Sequence, residues 1–193
     1  MSDPVCVILA AGLSLRFGRP KQLALFEGET LIHRAVRIAL AAGCSRTIVI
    51  VPADSPEIRR ELSSLAVEIM ENSNPRAGMS SSMRLAAHAA ADGPLLLTLA
   101  DQPHVTSEHL RALIATQAPI AVTRFNGTTG PPAFFDERFL PLLLTLTGDH
   151  GAREIVRAHH DQVTEIPFDG AAVDIDTEDD LRDLESGGAR SSR

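Results

Sequence analysis

Arg16, Arg19 and Lys21 stand close together, directly after the small residues Ala10-Ala11-Gly12 and the apolar run Val7-Ile8-Leu9. Small residues let backbone N–H groups approach a ligand, and cations beyond them can converge on an anion such as a phosphate. Neither GxxxxGK[ST] nor GxGxxG is present, so this is not one of the two common phosphate loops. The same residues would equally suit an exposed loop with solvated cations. Further on, Gly78 precedes Met79 and the serines Ser80, Ser81 and Ser82, which open a helical pattern. A helix start offers unpaired N–H groups, and the hydroxyls extend that donor set, whereas ordinary capping needs only one serine.

Two carboxylate-bearing stretches complete the set. Asp101 follows the apolar run at residues 95–99, at the end of a strand where open α/β sheets bind ligands. Pro103 and Thr106 already supply turn and cap chemistry there, which leaves Asp101 as a metal ligand, with Mg²⁺ the usual ion where phosphates share the coordination sphere. In Val173-Asp174-Ile175-Asp176 the alternation predicts a strand with both carboxylates on one face. Asp176 and Asp179 read as the acidic start of a helix, and Asp174 as the functional carboxylate of the pair.

Elements that would position these groups follow from periodicity. Apolar runs predict strands at 5–9, 47–51, 67–70, 95–99 and 120–123, and helical patterns fill 31–42, 55–65, 79–91 and 107–117. The strands are continuously apolar, as when helices cover both faces of a parallel sheet. Ser55-Pro56-Glu57 and Thr106-Ser107-Glu108 mark helix starts, and Gly43 a helix stop. The β–α alternation predicts a doubly wound α/β domain over residues 1–185, with a mostly parallel central sheet. The Gly- and Pro-rich stretch 124–139 reads as a connection leading to short elements, with a last helix at 178–184. Residues 186–193 read as a disordered tail.

Composition removes other classes. The 193 residues carry a formal net charge of -7 and a sequence pI near 5.4, which argues against a general nucleic-acid binder. Tyr and Trp are absent, so stacking of bases on large aromatic rings is not the main binding device. Cys6 and Cys44 lack metal or redox spacing and read as structural thiols. The N-terminus makes a poor secretory signal, and no apolar run approaches the ~20 residues of a membrane span. A cytoplasmic protein without membrane contact is expected. His159-His160 is a weak metal candidate, and the role of His150 stays open.

Six stretches in order, LAAGLSLRFGRPK, GMSSSM, LADQP, GPPAFF, GDHGAR and DIDTEDDL, resemble the motifs of the MobA-like nucleotidyltransferases, most closely the molybdenum cofactor cytidylyltransferase branch. The resemblance runs to about residue 184 and implies a Rossmann-like fold of the nucleotide-diphospho-sugar transferase type. It implies that Leu9, Ala10, Ala11 and Gly12 hold base and ribose, and that Gly78, Ser81 and Ser82 contact the nucleoside. Arg16 and Lys21 would grip the triphosphate, with Asp101 the third catalytic residue. Asp101 and Asp174 would ligate Mg²⁺, and Gly130, Pro131, Asp149 and Arg153 would face the acceptor. The implied reaction moves CMP from CTP onto a phosphate-bearing small molecule, molybdopterin in that branch, with transient contact to a molybdoenzyme or its chaperone. Ala11 stands where guanylyl-transferring relatives have Gly, and its methyl favours a pyrimidine. Guanylyl transfer, transfer to a sugar phosphate, and a non-catalytic nucleotide-binding maturation factor are the alternatives.

Overall fold

The computed structural model describes residues 3–90, 93–148 and 151–188. Its main sheet is built from β1 (Val5–Leu9), β4 (Arg46–Pro52), β5 (Glu68–Asn72), β6 (Leu95–Leu99), β7 (Ile120–Phe125), β8 (Thr128–Phe135) and β9 (Val163–Pro167), in the order β5-β4-β1-β6-β8-β7-β9. All pairings are parallel except those of β8 with β6 and β7. A two-stranded ribbon, β2 (Leu25–Phe26) with β3 (Glu29–Thr30), lies apart. The mostly parallel α/β sheet predicted from the apolar runs is the one observed.

Those runs are continuous because each strand serves two cores. Val5, Val7 and Leu9 of β1 pack with α3 (Met79–Ala89), α5 (Leu140–Leu144) and α6 (Arg153–Ala158) through Met83, Leu143 and Ile155. Cys6 and Ile8 point the other way, onto α1 (Leu31–Leu40), α2 (Pro56–Leu62) and α4 (Ser107–Ala115) through Val36, Leu62 and Leu110. Thr30 and Thr106 cap α1 and α4 by accepting from the backbone N–H of His33 and His109. Ser55 makes no such bond at the start of α2; its hydroxyl donates back to Pro52 O. Cys6 is buried and Cys44 half-buried, both free thiols.

Three expectations are corrected. Residues 128–135, read as part of a connection, form β8 in the middle of the sheet. The strand is reached through Asn126 and Gly127, whose φ angles of 47° and 72° give the tight hairpin turn that Asn-Gly favours. Pro131 and Pro132 disguised it, since proline cannot donate to a ladder. The pairing shifts there, from Val122↔Ala133 to Thr123↔Gly130, so both prolines bulge from the ladder. Residues 173–176 pair with no strand, and Asp174 and Asp176, expected on one face, line different cavities. Finally, α7 (Glu178–Gly188) continues into the stretch read as a tail.

A third cluster joins Phe17, Phe26 and Leu31 to Ile175 and Leu181. It clamps the cation-bearing loop against the C-terminal segment. No described helix is long and apolar enough to cross a membrane.

Phe135 is fully buried on the central β8. Phe135→Ala is therefore expected to cost about 3–5 kcal/mol, read as a lower urea midpoint.

Candidate active site

The parallel strands β1 and β6 end side by side at Leu9 and Leu99. Everything with chemistry gathers beyond those ends. The loop after β1 is held from within: Gln22, buried, donates from Nε2 to Ala10 O at 2.7 Å and Gly12 O at 2.9 Å. Ser14, at φ 53°, accepts on its carbonyl from the N–H groups of Phe17 and Gly18. Its Oγ accepts from Lys21 N. These bonds bring the Lys21 side chain over the end of β6.

There the Lys21 ammonium meets three oxygens, Asp101 Oδ2 at 2.7 Å, Ile175 O at 2.8 Å and Asp176 Oδ1 at 3.0 Å. An ammonium has three protons, and each has an acceptor. Burial works against the charge, but the Asp101 and Asp176 carboxylates outweigh it and raise the Lys21 pKa. Arg16 Nη2 reaches Asp176 Oδ2 at 2.7 Å from a largely exposed position. The C-terminal segment is sewn in place by Ile175 N, which donates to Asp101 O at 3.0 Å. One residue back, Asp174 Oδ1 accepts from Gln102 Nε2 at 3.0 Å. Burial raises the Asp174 pKa, and the neighbouring charges of Asp101 and Asp176 raise it further, against Gln102 and Lys21.

Two cavities flank this cluster. The smaller, about 420 Å³, is lined by Ala11, Gly12, Arg16, Lys21, Gly78, Ser82, Asp101 and Asp176 among others. The larger, about 530 Å³, has Asp174, Gln102, Gly130, Pro131, Arg153 and Arg157 in its wall. Leu9, Met79 and Leu99 line both. The carboxylates thus stand at a boundary, with Asp101 and Asp176 toward the cationic loop and Asp174 toward the larger space.

Among the described residues no group of three or more His, Cys, Asp or Glu is arranged as a metal cage. A Mg²⁺-type site needs less, since that ion commonly takes one or two carboxylates and completes its shell with phosphate and water oxygens. Asp101 Oδ1 is buried and has no hydrogen-bond partner, and Asp174 is close enough for its charge to be felt at Asp101. An orphan carboxylate oxygen beside a second carboxylate fits a divalent ion.

Most of the residues singled out from the sequence meet here. Ser81 does not: its Oγ donates to Gly78 O and accepts from Asn72 Nδ2, and the same amide reaches Ser82 Oγ. Two of the three serines therefore hold the helix start to β5 through Asn72. Ala10 faces the core below the loop. Asp149 and His150 lie outside the described residues. Asp176, read as a structural helix start, instead takes both Lys21 and Arg16. Gln102 and Arg157 were not singled out, although Gln102 stands beside Asp101 in LADQP and Arg157 lies one helical turn from Arg153. His159 packs edge-on against Phe139 and bonds Ile155 O, a packing role.

A model of the MobA-like NTP transferase domain matches residues 6–163. The chain belongs to the MobA-like NTP transferase family. It is 31% identical over 188 residues to the purine catabolism protein PucB of Bacillus subtilis (strain 168), covering 89% of this chain and 90% of PucB. It is 26% identical over 183 residues to the molybdenum cofactor cytidylyltransferase of Escherichia coli (strain K12), covering 94% and 95%. Rv0371c from Mycobacterium tuberculosis H37Rv superimposes with a TM-score of 0.83 at 28% identity, over 96% of this chain and 98% of that one. Its manganese complex superimposes at 0.79, also at 28% identity, over 96% and 99%. This MobA-like chain is a nucleotidyltransferase with the α/β fold of its structural neighbours.

Behind the larger cavity His109 is buried, and desolvation lowers its pKa from 6.5 to about 4. The unfolded chain takes up that proton first on acidification, so the His109 contribution is complete above pH 6.5 and is lost between about 6.5 and 4. Wild-type protein is expected to lose about 2 kcal/mol from this group between about pH 7 and pH 5. Urea titrations of His109→Gln should lack that increment.

Proposed function

We propose that this transferase moves CMP from CTP onto the phosphate of a flat, ring-bodied acceptor of the molybdopterin type, releasing pyrophosphate, with Mg²⁺ held by Asp101 and Asp174. The observation that supports this reading is the pair of cavities meeting at the carboxylate cluster, each with two cations in its lining, Arg16 and Lys21 on one side and Arg153 and Arg157 on the other. The side with Arg16 and Lys21 suits a triphosphate. Gly12 supports a ligand there, because an added Cβ would meet no protein atom within 4 Å and its backbone is not left-handed. Nothing within the chain therefore demands glycine, whereas a nucleotide against the backbone would. Ala11 lines the same cavity, and its methyl crowds a purine more than a pyrimidine. A relative supports the acceptor, since the Escherichia coli protein is a molybdenum cofactor cytidylyltransferase.

The larger cavity is walled by Leu97, Leu99, Val122, Phe125, Ala133 and Phe135, with Arg153 and Arg157 also in its lining. A sugar phosphate would set part of its hydroxyls against the apolar side of that wall, at a desolvation cost. A heteroaromatic body buries well there, and the arginines suit anionic substituents.

The chain's own groups then account for the chemistry. The acceptor phosphate is largely a dianion at neutral pH, because its second pKa is ~6, so its oxygen attacks the α-phosphorus without a general base. The bond from that phosphorus to the bridging oxygen breaks, and pyrophosphate departs. Lys21, held by Asp101 and Asp176, and the exposed Arg16 offset the charge gathered on the leaving group. A divalent ion on Asp101 and Asp174 would supply charge neutralisation where the two phosphates approach.

Thermal unfolding with each of CTP, GTP, ATP and UTP, with and without Mg²⁺, tests the reading. CTP with Mg²⁺ at about 100 times its Kd is expected to raise Tm by about 5–10 °C, with smaller shifts for the others. Asp101→Asn should lose turnover far more than nucleotide binding. A GTP-selective shift would move the assignment to guanylyl transfer, and equal losses in turnover and binding would favour a non-catalytic nucleotide binder.

A further inference from the structure

Pro131 and Pro132 leave the β7–β8 ladder together, and two buried side chains take the carbonyls they strand. Thr123 Oγ1 donates to Pro132 O at 2.6 Å, and Thr123 has no exposed surface. Gln102 Nε2 donates to Pro131 O at 3.2 Å. A hydroxyl has one proton. With that proton on Pro132 O, the 2.7 Å contact between His109 Nε2 and Thr123 Oγ1 requires the imidazole to donate. His109 is thereby the Nε2–H tautomer, and its ring is stacked on Phe168 at 4.3 Å.

On the other side of the bulge Gln102 also donates to Asp174 Oδ1 at 3.0 Å. A continuous line thus runs from His109 on α4 through Thr123 on β7, the two proline carbonyls and Gln102 to Asp174. Gly130, Pro131 and Asp174 line the larger cavity, whereas His109 and Thr123 do not touch it. Their polarity is costly in so buried a place unless each bond is made. An apolar pair would have filled the same volume without that demand.

We propose that Thr123 and His109 are positioning residues: through Pro132 O they fix the bulge that walls the acceptor cavity, and through Pro131 and Gln102 they orient Asp174. The inference rests on the reading that the larger cavity takes the acceptor. It predicts a split, because the smaller cavity gains nothing from this line.

Thr123→Val keeps the side-chain shape and removes the donor, whereas Thr123→Ser keeps the donor. In the full chain, Thr123→Val is expected to leave the KM for CTP within about twofold and to raise the KM for molybdopterin about tenfold, the scale of one lost hydrogen bond. With CTP present, Mn²⁺ affinity measured from the free-ion paramagnetic resonance signal should fall several-fold. Thr123→Ser should restore both. His109→Leu, which removes the donor to the hydroxyl, should move both readouts in the same direction by less, and it serves if the valine variant does not fold. Equal changes in both KM values, no change in either, or a serine variant that behaves like valine would overturn the proposal. A wild-type enzyme that does not use molybdopterin would remove the acceptor reading instead. The Mn²⁺ arm then decides alone, and unchanged affinity in Thr123→Val sinks the positioning role.

Discussion

The Lys21 ammonium, seated between Asp101, Asp176 and the carbonyl of Ile175, is the contact on which the site depends. It joins three parts of the chain that secondary structure alone does not connect: the loop after β1, the end of β6 and the C-terminal segment. That segment has no strand to pair with. It is held by one backbone bond to Asp101 O and by the burial of Ile175 among Phe17, Phe26 and Leu31. A half-buried carboxylate cluster would repel itself, and the raised pKa of Asp174 shows that repulsion added to burial. One tethered cation offsets it.

This arrangement divides labour between the two faces of the cluster. Cations and a bare backbone face one cavity, while apolar walls with arginines face the other. A transferase must bring two anions together, and their mutual repulsion is the obstacle. Positive groups placed beforehand lower that barrier without rearranging during the reaction. The bulge at Pro131-Pro132 then trades ladder hydrogen bonds for a shaped wall, with Thr123 and Gln102 restoring the partners.

Much of this could be read from residues. β1 and β6 were bounded to the residue because five-residue apolar runs buried on both faces have few other uses. Asp101 stood out because it comes just after such a run, Lys21 because it belongs to a cation cluster beyond a small-residue turn, and Asp174 because it alternates with Val173 and Ile175. The failures share a cause, which is tertiary context overriding a local rule. Pro-Pro argued against a central strand, yet a bulge accommodates it, and the Asn126-Gly127 turn was the overlooked sign. Alternation at 173–176 predicted that Ile175 turns inward, but it named no partner strand, and Asp174 and Asp176 face different cavities rather than one. Asp176 looked like a helix start because its partners lie far away, Lys21 being 155 residues distant. The bond from Asn72 to Ser81 was equally out of view, because nothing in the neighbourhood of Ser81 names Asn72 as its partner.

That separation has a consequence for synthesis. A chain made from its N-terminus exposes Lys21 early, and β1, β4, β5 and β6 can assemble into a parallel sheet while Ile175 and Asp176 are still unmade. Until they arrive the ammonium has Asp101 alone, and the loop after β1 lacks the hydrophobic floor that Ile175 and Leu181 provide. A segment translated long after Lys21 therefore completes the first part of the site. A chain that stopped short of Ile175 would lack two of the three oxygens that hold the Lys21 ammonium.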